Sequence, residues 1–307
     1  MQEISIRESS RAYLERLQGF LSNEYAFKVW EITAAPRGFF GETWKVRTDV
    51  GCFFVKIDRW KYHQESYRRS LNAVAYMTDQ GISHIPAVRR TADGQLSCDF
   101  DGGVVATFAY EEGIQTEDYP VKQLFSHLIP IYQLDASRLD LEKESFGTRT
   151  LDRFRSLWDA EELPCSVKKE IAGKERRIAG YANRLKLFSG LCCEKKREKM
   201  LSKSGFSSRI SVQDASNGQY FGSPAEGSCA EGDQDDFFDF PDLHITHGDA
   251  GGNCILNGKR FVIMDWDSVK LAPAERDAWF FLCDEKQIAA ISRQLEEQGA
   301  GYPLRQE

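Results

Sequence analysis

Apolar positions near the start of the chain recur first at helical and then at strand spacing. Over residues 7–21 they fall every three or four positions (Ala12, Leu14, Leu17, Leu21), with Ser9 or Ser10 placed to cap, which predicts an opening helix. Three short β-branched and aromatic runs follow: FKVWEITAA at 27–35, ETWKVRT at 42–48 and CFFVKI at 52–57. Separated by PRGFFG and by Asp49-Val50-Gly51, they predict an antiparallel meander. The stripe of Tyr67, Leu71, Val74, Ala75 and Met77 predicts a helix over 62–80, stopped by Gly81. Further strands are expected near 85–90 and 96–100 and over 104–110.

From residue 117 the texture becomes helical, with apolar spacings of three and four over 119–134, 151–161 and 167–188. Residues 205–239 are rich in Ser, Gly, Gln and acids, the composition of a long mobile surface loop. Strands at 243–246, 254–256 and 261–264 and a closing helix complete the pattern. The fold class is therefore α+β. A small antiparallel sheet with one inserted helix should form an N-terminal part, 1–112, and a larger, mainly helical part should span 113–307. A length of 307 residues, beyond what one core usually supports, fits such a division.

Composition narrows the partners. The chain is 41% hydrophobic and 28% charged, so it should fold, and its formal charge is −7 with a pI near 5.5. Its most basic stretch, 195–203, is short and borders acid-rich sequence, so no nucleic-acid partner is expected. No window approaches the ~18 to 20 apolar residues of a membrane span, and the first residues mix Glu and Arg without an apolar signal core. The eight cysteines are scattered, with no CxxC and no zinc spacing, and read as reduced thiols. A cytoplasmic protein without membrane contact is expected.

The densest chemistry lies in residues 246–280, THGDAGGNCILNGKRFVIMDWDSVKLAPAERDAWF. His247-Gly248-Asp249 follows a short apolar run, Asn253 comes four positions after Asp249, and Asp265 ends a buried run ahead of Trp266 and Asp267. Phosphoryl transfer needs one carboxylate to orient and deprotonate the attacking hydroxyl, and hard oxygen ligands to hold magnesium on the phosphates. Three such ligands from a loop and an adjacent hairpin suit magnesium better than zinc.

This ordered set resembles the aminoglycoside phosphotransferase and choline kinase family, and its motif is most similar to the spectinomycin phosphotransferase branch. The resemblance implies a two-lobed, protein-kinase-like fold binding ATP, or another nucleoside triphosphate, with Mg2+. It implies Asp249 as catalytic base, Asn253 and Asp265 as metal ligands, and His247 as a structural residue of the loop. Asp267 would touch a second metal or water, or hydrogen-bond the following turn. Asp277 would tether the closing helix to the catalytic loop rather than meet substrate. In one respect the chain departs from the family: three residues, Ala250, Gly251 and Gly252, stand between Asp249 and Asn253, where most members have four. Two glycines would let the shorter loop adopt unusual backbone angles.

A kinase-like fold also predicts a phosphate-covering turn and then a lysine on the third strand. Lys56 in CFFVKI takes the lysine's place. The turn 36–41 offers Gly38 and Gly41 to the phosphates but lacks the full glycine pattern, and an ordinary hairpin remains the alternative. The lysine's usual partner is a carboxylate mid-helix, where this chain has Ser70. Either Glu65 serves after a shift of about a turn, or the lysine relies on the phosphates alone. Between the lobes, the adenine edge would meet backbone groups of Ala109 and Glu111.

The expected activity is γ-phosphoryl transfer to the hydroxyl of a small molecule. The acids of 226–242 would either steer a cationic substrate or simply solvate a loop. A protein kinase is disfavoured, since no HRD, DFG or APE string is present. The remaining alternative is a nucleotide-binding pseudokinase with a structural or regulatory role.

Overall fold

The β-branched and aromatic runs form an antiparallel sheet. Strands β1 (Val29–Ala34), β2 (Gly41–Thr48) and β3 (Gly51–Asp58) follow one another as the predicted meander. With β4 (Val88–Arg89), β5 (Cys98–Phe100) and β6 (Gly103–Ala109) the order is β1-β2-β3-β6-β4, and β5 also pairs with β6. Lys56 pairs with Thr43 on one side and Ala106 on the other, which puts it on a central strand. Gly41 opens β2 where an added Cβ would run into the Ile57 carbonyl, so strand packing alone requires a glycine there. The computed structural model describes residues 11–35, 41–144, 243–258, 260–281 and 285–298. All belong to one compact unit, formed by 1–144 and 242–307. The helices expected at 151–161 and 167–188, the loop at 205–239 and Gly38 lie outside the described residues.

Helix α1 (Arg11–Tyr25) buries Tyr13, Leu17, Leu21 and Tyr25, each four residues from the next, against Trp44, Val46, Val55, Ile57 and Val105 of the sheet. Each fully buried leucine there contributes about 1.5–3 kcal/mol. The helix runs a turn beyond the expected end because Tyr25 continues the spacing, and it stops at Ala26, which takes φ 52°. Helix α2 (Lys61–Asp79) lays Tyr67 and Leu71 on Val104, Ala106 and Phe108 of β6. It ends in a Schellman motif, with Gly81 at φ 88° and its N–H on Thr78 O, and the Ile82 N–H on Met77 O.

After β6 the chain enters β7 (Ile114–Thr116) and then α3 (Val121–Tyr132). Residues 243 onward supply β8 (His244–Thr246), β9 (Cys254–Asn257), β10 (Arg260–Ile263), β11 (Lys270–Ala272) and α4 (Glu285–Glu297). They form two small sheets, β10-β9-β7 and β11-β8. The strands β7 and β11 were not expected: at three residues each they show no period, and pairing with β9 and β8 decides them. A core shared by the C-terminal half of α2, α3, β8, β10 and α4 joins these pieces.

Candidate active site

The sheet and the small β9–β10 hairpin bring one ammonium and two carboxylates together. Lys56 Nζ lies 2.5 Å from Asp265 Oδ1 and 2.6 Å from Asp267 Oδ2. Lys56 and Asp267 are buried, whereas the Asp265 side chain is 38% exposed. Burial works against the lysine's charge, but the two neighbouring carboxylates outweigh it and raise its pKa. At Asp267 burial pushes the pKa up first, Lys56 pulls it back and Asp265 pushes it up again, leaving it above the ordinary value. Two acids thus share one cation at a site of net negative charge. Asp265 holds φ at 62°, a left-handed conformation that disfavours a side chain by about 1 kcal/mol and is found mainly where surrounding contacts impose it.

The lysine does not pair with the helix acid Glu65. That side chain is 71% exposed and meets Arg69 one turn on, at 3.5 Å. Position 63 of α2 faces inward with its ring on Asp58, and Tyr67 follows one turn later, 5.9 Å below the Lys56 ammonium. Position 70 then presents a serine. Ser70 Oγ donates to the Asp267 carbonyl and accepts from the Val269 N–H, both at 3.1 Å.

The loop carrying Asp249 is built from backbone contacts. His247 donates from Nε2 to the Met264 carbonyl at 2.6 Å, accepts the Asp249 N–H at Nδ1 and packs edge-on against Trp266. This is the structural role expected of it. Asp277 accepts the N–H groups of His247 and Gly248 and the Tyr132 hydroxyl, so it ties the loop to α3 as well as to its own short 3-10 turn. Gly248, at φ 86°, leaves room for the Arg276 guanidinium, which bonds Thr246, Ser268 and Glu144. Arg276, Tyr132 and Glu144 were not singled out from the sequence, and Ser70 was noted only as standing where a helix acid is usual.

The shortened loop closes differently from the expectation. Gly251 and Gly252 keep ordinary negative backbone angles, and Ala250–Gly252 form a single 3-10 turn. A Cβ at Gly251 would strike the Phe280 ring, so crowding rather than unusual φ requires that glycine. The turn is fastened by Tyr119 Oη on the Gly251 carbonyl at 2.5 Å and by Gln115 Nε2 on the Gly252 carbonyl at 3.0 Å. Asn253 then donates from Nδ2 to Asp249 O at 2.8 Å and to Asp249 Oδ2 at 3.2 Å.

A cavity of about 320 Å³ opens beside these groups, between the large sheet and the β9–β10 hairpin. Lys56, Asn253, Asp265 and Asp267 line one part of it, while Phe54, Phe108, Tyr110, Ile255 and Met264 supply apolar walls. Glu111 lines it too, with its carboxylate on Arg260 at 2.7 Å. Ala109 does not line it, and its N–H is committed to the Ala87 carbonyl. Ala35 and Thr43, on either side of residues 36–40, exchange hydrogen bonds and line the cavity. Gly41 itself does not line it.

The oxygen donors suit a hard divalent cation. Asn253 uses its amide nitrogen on Asp249, leaving the amide oxygen as the atom for a metal, and Asp265 adds a half-exposed carboxylate in the same cavity. Among the described residues, no group of three or more His, Cys, Asp and Glu side chains is placed to hold a metal. A cation here would rest on a mixed amide and carboxylate set.

No family model and no curated protein sequence matches the chain. Solved structures do. A spectinomycin phosphotransferase in complex with ADP and spectinomycin superimposes with a TM-score of 0.54 at 18% identity, covering 94% of this chain and 79% of that one. The fold is that of these phosphotransferases. A choline kinase from Cryptosporidium parvum gives 0.52 at 12% identity over 95% and 82% of the two chains. An aminoglycoside phosphotransferase from Streptomyces rimosus gives 0.51 at 12% identity over 96% and 92%. The kinase-like fold expected from the motif is therefore present, and at such identities the likeness is one of fold. Among the described residues no helix is long and apolar enough to cross a membrane.

Proposed function

We propose that the protein is a small-molecule kinase that transfers the γ-phosphoryl group of ATP, or another nucleoside triphosphate, to a substrate hydroxyl. The observation that carries this reading is the convergence of Lys56, Asp265, Asp267 and Asn253 on one cavity that Phe54, Phe108, Ile255 and Met264 also line. A base fits between the apolar walls, and triphosphate oxygens fit beside the lysine. Lys56 would turn from Asp265 toward the phosphates while keeping Asp267 as its counter-ion. Asp265 and Asn253 would hold Mg2+, which supplies charge neutralisation on the phosphates. Asp267, deeper and less exposed, stays with the lysine and the turn that follows it.

Asp249 is exposed, and the Asn253 amide fixes its carboxylate. It would accept the proton of the attacking hydroxyl, with the transition state stabilised mainly by positioned charge. The substrate is a small hydroxyl compound, with a cationic one favoured by the chain's net charge of −7. Neither nucleic acid nor a membrane is a partner in this reading, and the protein works in the cytoplasm.

The test is a thermal-shift titration with ATP and magnesium, then a phosphotransfer screen over aminoglycosides, choline and sugars. Binding followed by transfer to one class supports the kinase. Binding with no transfer favours a nucleotide-dependent regulatory protein. An absence of binding to ATP and GTP alike rejects the nucleotide site.

A further inference from the structure

The hydroxyl of Ser70 is fully buried, and both its bonds go to one remote loop. It donates to the Asp267 carbonyl and accepts from the Val269 N–H, 197 and 199 positions away in sequence. The same loop carries Asp265 in its left-handed conformation and Asp267 with its carboxylate on Lys56. A helix side chain without charge therefore fixes the backbone on which both acids are mounted. Asp267, in turn, is the most deeply buried anion facing the lysine, with 9% of its side chain exposed against 38% for Asp265.

We infer that Ser70 is a positioning residue of the nucleotide site: it clasps the Asp265–Val269 turn to helix α2, so that Asp267 serves as the buried counter-ion of Lys56. The division of labour is physical. A carboxylate on the helix would pair with the lysine directly, yet here the only acid on the exposed start of α2, Glu65, faces Arg69. The counter-ion comes instead from the loop, and a loop residue holds its place only if its backbone is fastened. Ser70 uses its donor and an acceptor lone pair to do that, leaving Asp267 Oδ2 to Lys56 at 2.6 Å. Asp265, on the same fastened turn, remains half exposed for a cation. The inference rests on the kinase reading for its consequence in nucleotide binding, but the clasp itself does not.

The experiment is a double-mutant cycle of Ser70→Ala and Asp267→Asn, read by titration with ATP in the presence and absence of magnesium, and by melting of the nucleotide-free protein. Ser70→Ala should weaken magnesium-dependent ATP binding about tenfold, the usual size of coupling between contacting groups. In the Asp267→Asn background the same change should have less than half that effect, since its route to the lysine is gone. A purely structural serine would lower the melting temperature and leave the magnesium-dependent affinity unchanged, which overturns the inference, as do equal effects in the two backgrounds. If the wild-type protein binds no ATP, the kinase reading falls separately. The melting cycle then decides: melting shifts that fail to add support the clasp acting through Asp267, and additive shifts reject it.

Discussion

Lys56 Nζ and Asp265 Oδ1 stand 2.5 Å apart although 209 positions separate them in the chain. The contact joins the central strand β3 to the loop just after β10, and Asp267 adds a second, more deeply buried oxygen at 2.6 Å. Removing the ammonium leaves Asp267 buried without its cation. Lys56→Met should therefore lower stability by about 3 kcal/mol or more and also abolish tight ATP binding. Asp265→Asn should behave otherwise, keeping most of the stability and losing the magnesium dependence of binding. Urea unfolding together with calorimetric ATP titration, with and without magnesium, separates the two. Unchanged binding in both variants would show that the nucleotide lies elsewhere.

Asp277 is the fixed point of the catalytic loop. It is 1% exposed and accepts hydrogen bonds from Tyr132, His247 and Gly248. Burial and the adjacent Asp277 raise the Tyr132 pKa, which keeps its hydroxyl a donor. Asp277→Ala takes the acceptor from two buried donors, the Tyr132 hydroxyl and the His247 N–H, each costing about 1 kcal/mol or more, so a loss of roughly 2 kcal/mol or more is expected from denaturant unfolding. Because the loop carries Asp249, turnover should fall further than the folded fraction does. Equal losses would mean that the tether holds the fold without aligning the loop.

His84 gives a pH signature unrelated to catalysis. Its Nε2 donates to the His127 carbonyl at 2.7 Å, and burial, followed by the neighbouring His127, lowers its pKa from 6.5 to about 4. The folded state thus disfavours the protonated ring, while the unfolded chain takes up a proton below pH 6.5. The stability associated with neutral His84 is complete above pH 6.5 and is lost progressively as pH falls toward about 4. His84→Gln keeps a donor and removes the titration. Its unfolding midpoint should fall less steeply than that of the wild type over this window, and parallel slopes would contradict the assignment.

The parts of the site legible in the sequence were those written as short strings. His247, Asp249, Asn253 and Asp265 sit within one run of residues, and Lys56 was marked by its place on the third strand. The structure brings Lys56, Asn253 and Asp265 to one cavity and ties Asp249 to Asn253. What escaped was contact between residue types that carry no motif. Ser70 meets the loop across 197 positions, and Arg276 meets Glu144 across 132. Such pairs exist only once the chain has folded. The missed strands β7 and β11 have the same origin, since three residues cannot display a period of two. Whether Glu65 would pair with Lys56 stayed open in the sequence for a related reason: a helix face is known only when its packing is, and Tyr67, Ser70 and Leu71 take the inward positions while Glu65 meets Arg69.

Asp249 should act on the transition state rather than on nucleotide affinity. It is exposed, outside the Lys56 cluster, and its carboxylate is oriented by Asn253 Nδ2 at 3.2 Å. A base in that position accepts a proton only as the substrate oxygen attacks. Asp249→Asn keeps the shape and removes the charge, so turnover should fall about 10²-fold to 10⁴-fold while ATP affinity stays nearly constant. Asn253→Ala disturbs two functions at once, because its nitrogen holds Asp249 and its oxygen is the atom offered to a cation. Excess magnesium should restore the nucleotide affinity of this variant but only part of its turnover, since added metal does not reorient Asp249. Steady-state kinetics on the substrate found by the screen, with ATP affinity measured separately, checks both expectations. Full activity in Asp249→Asn would remove the carboxylate from the mechanism and return the question of the base to another residue.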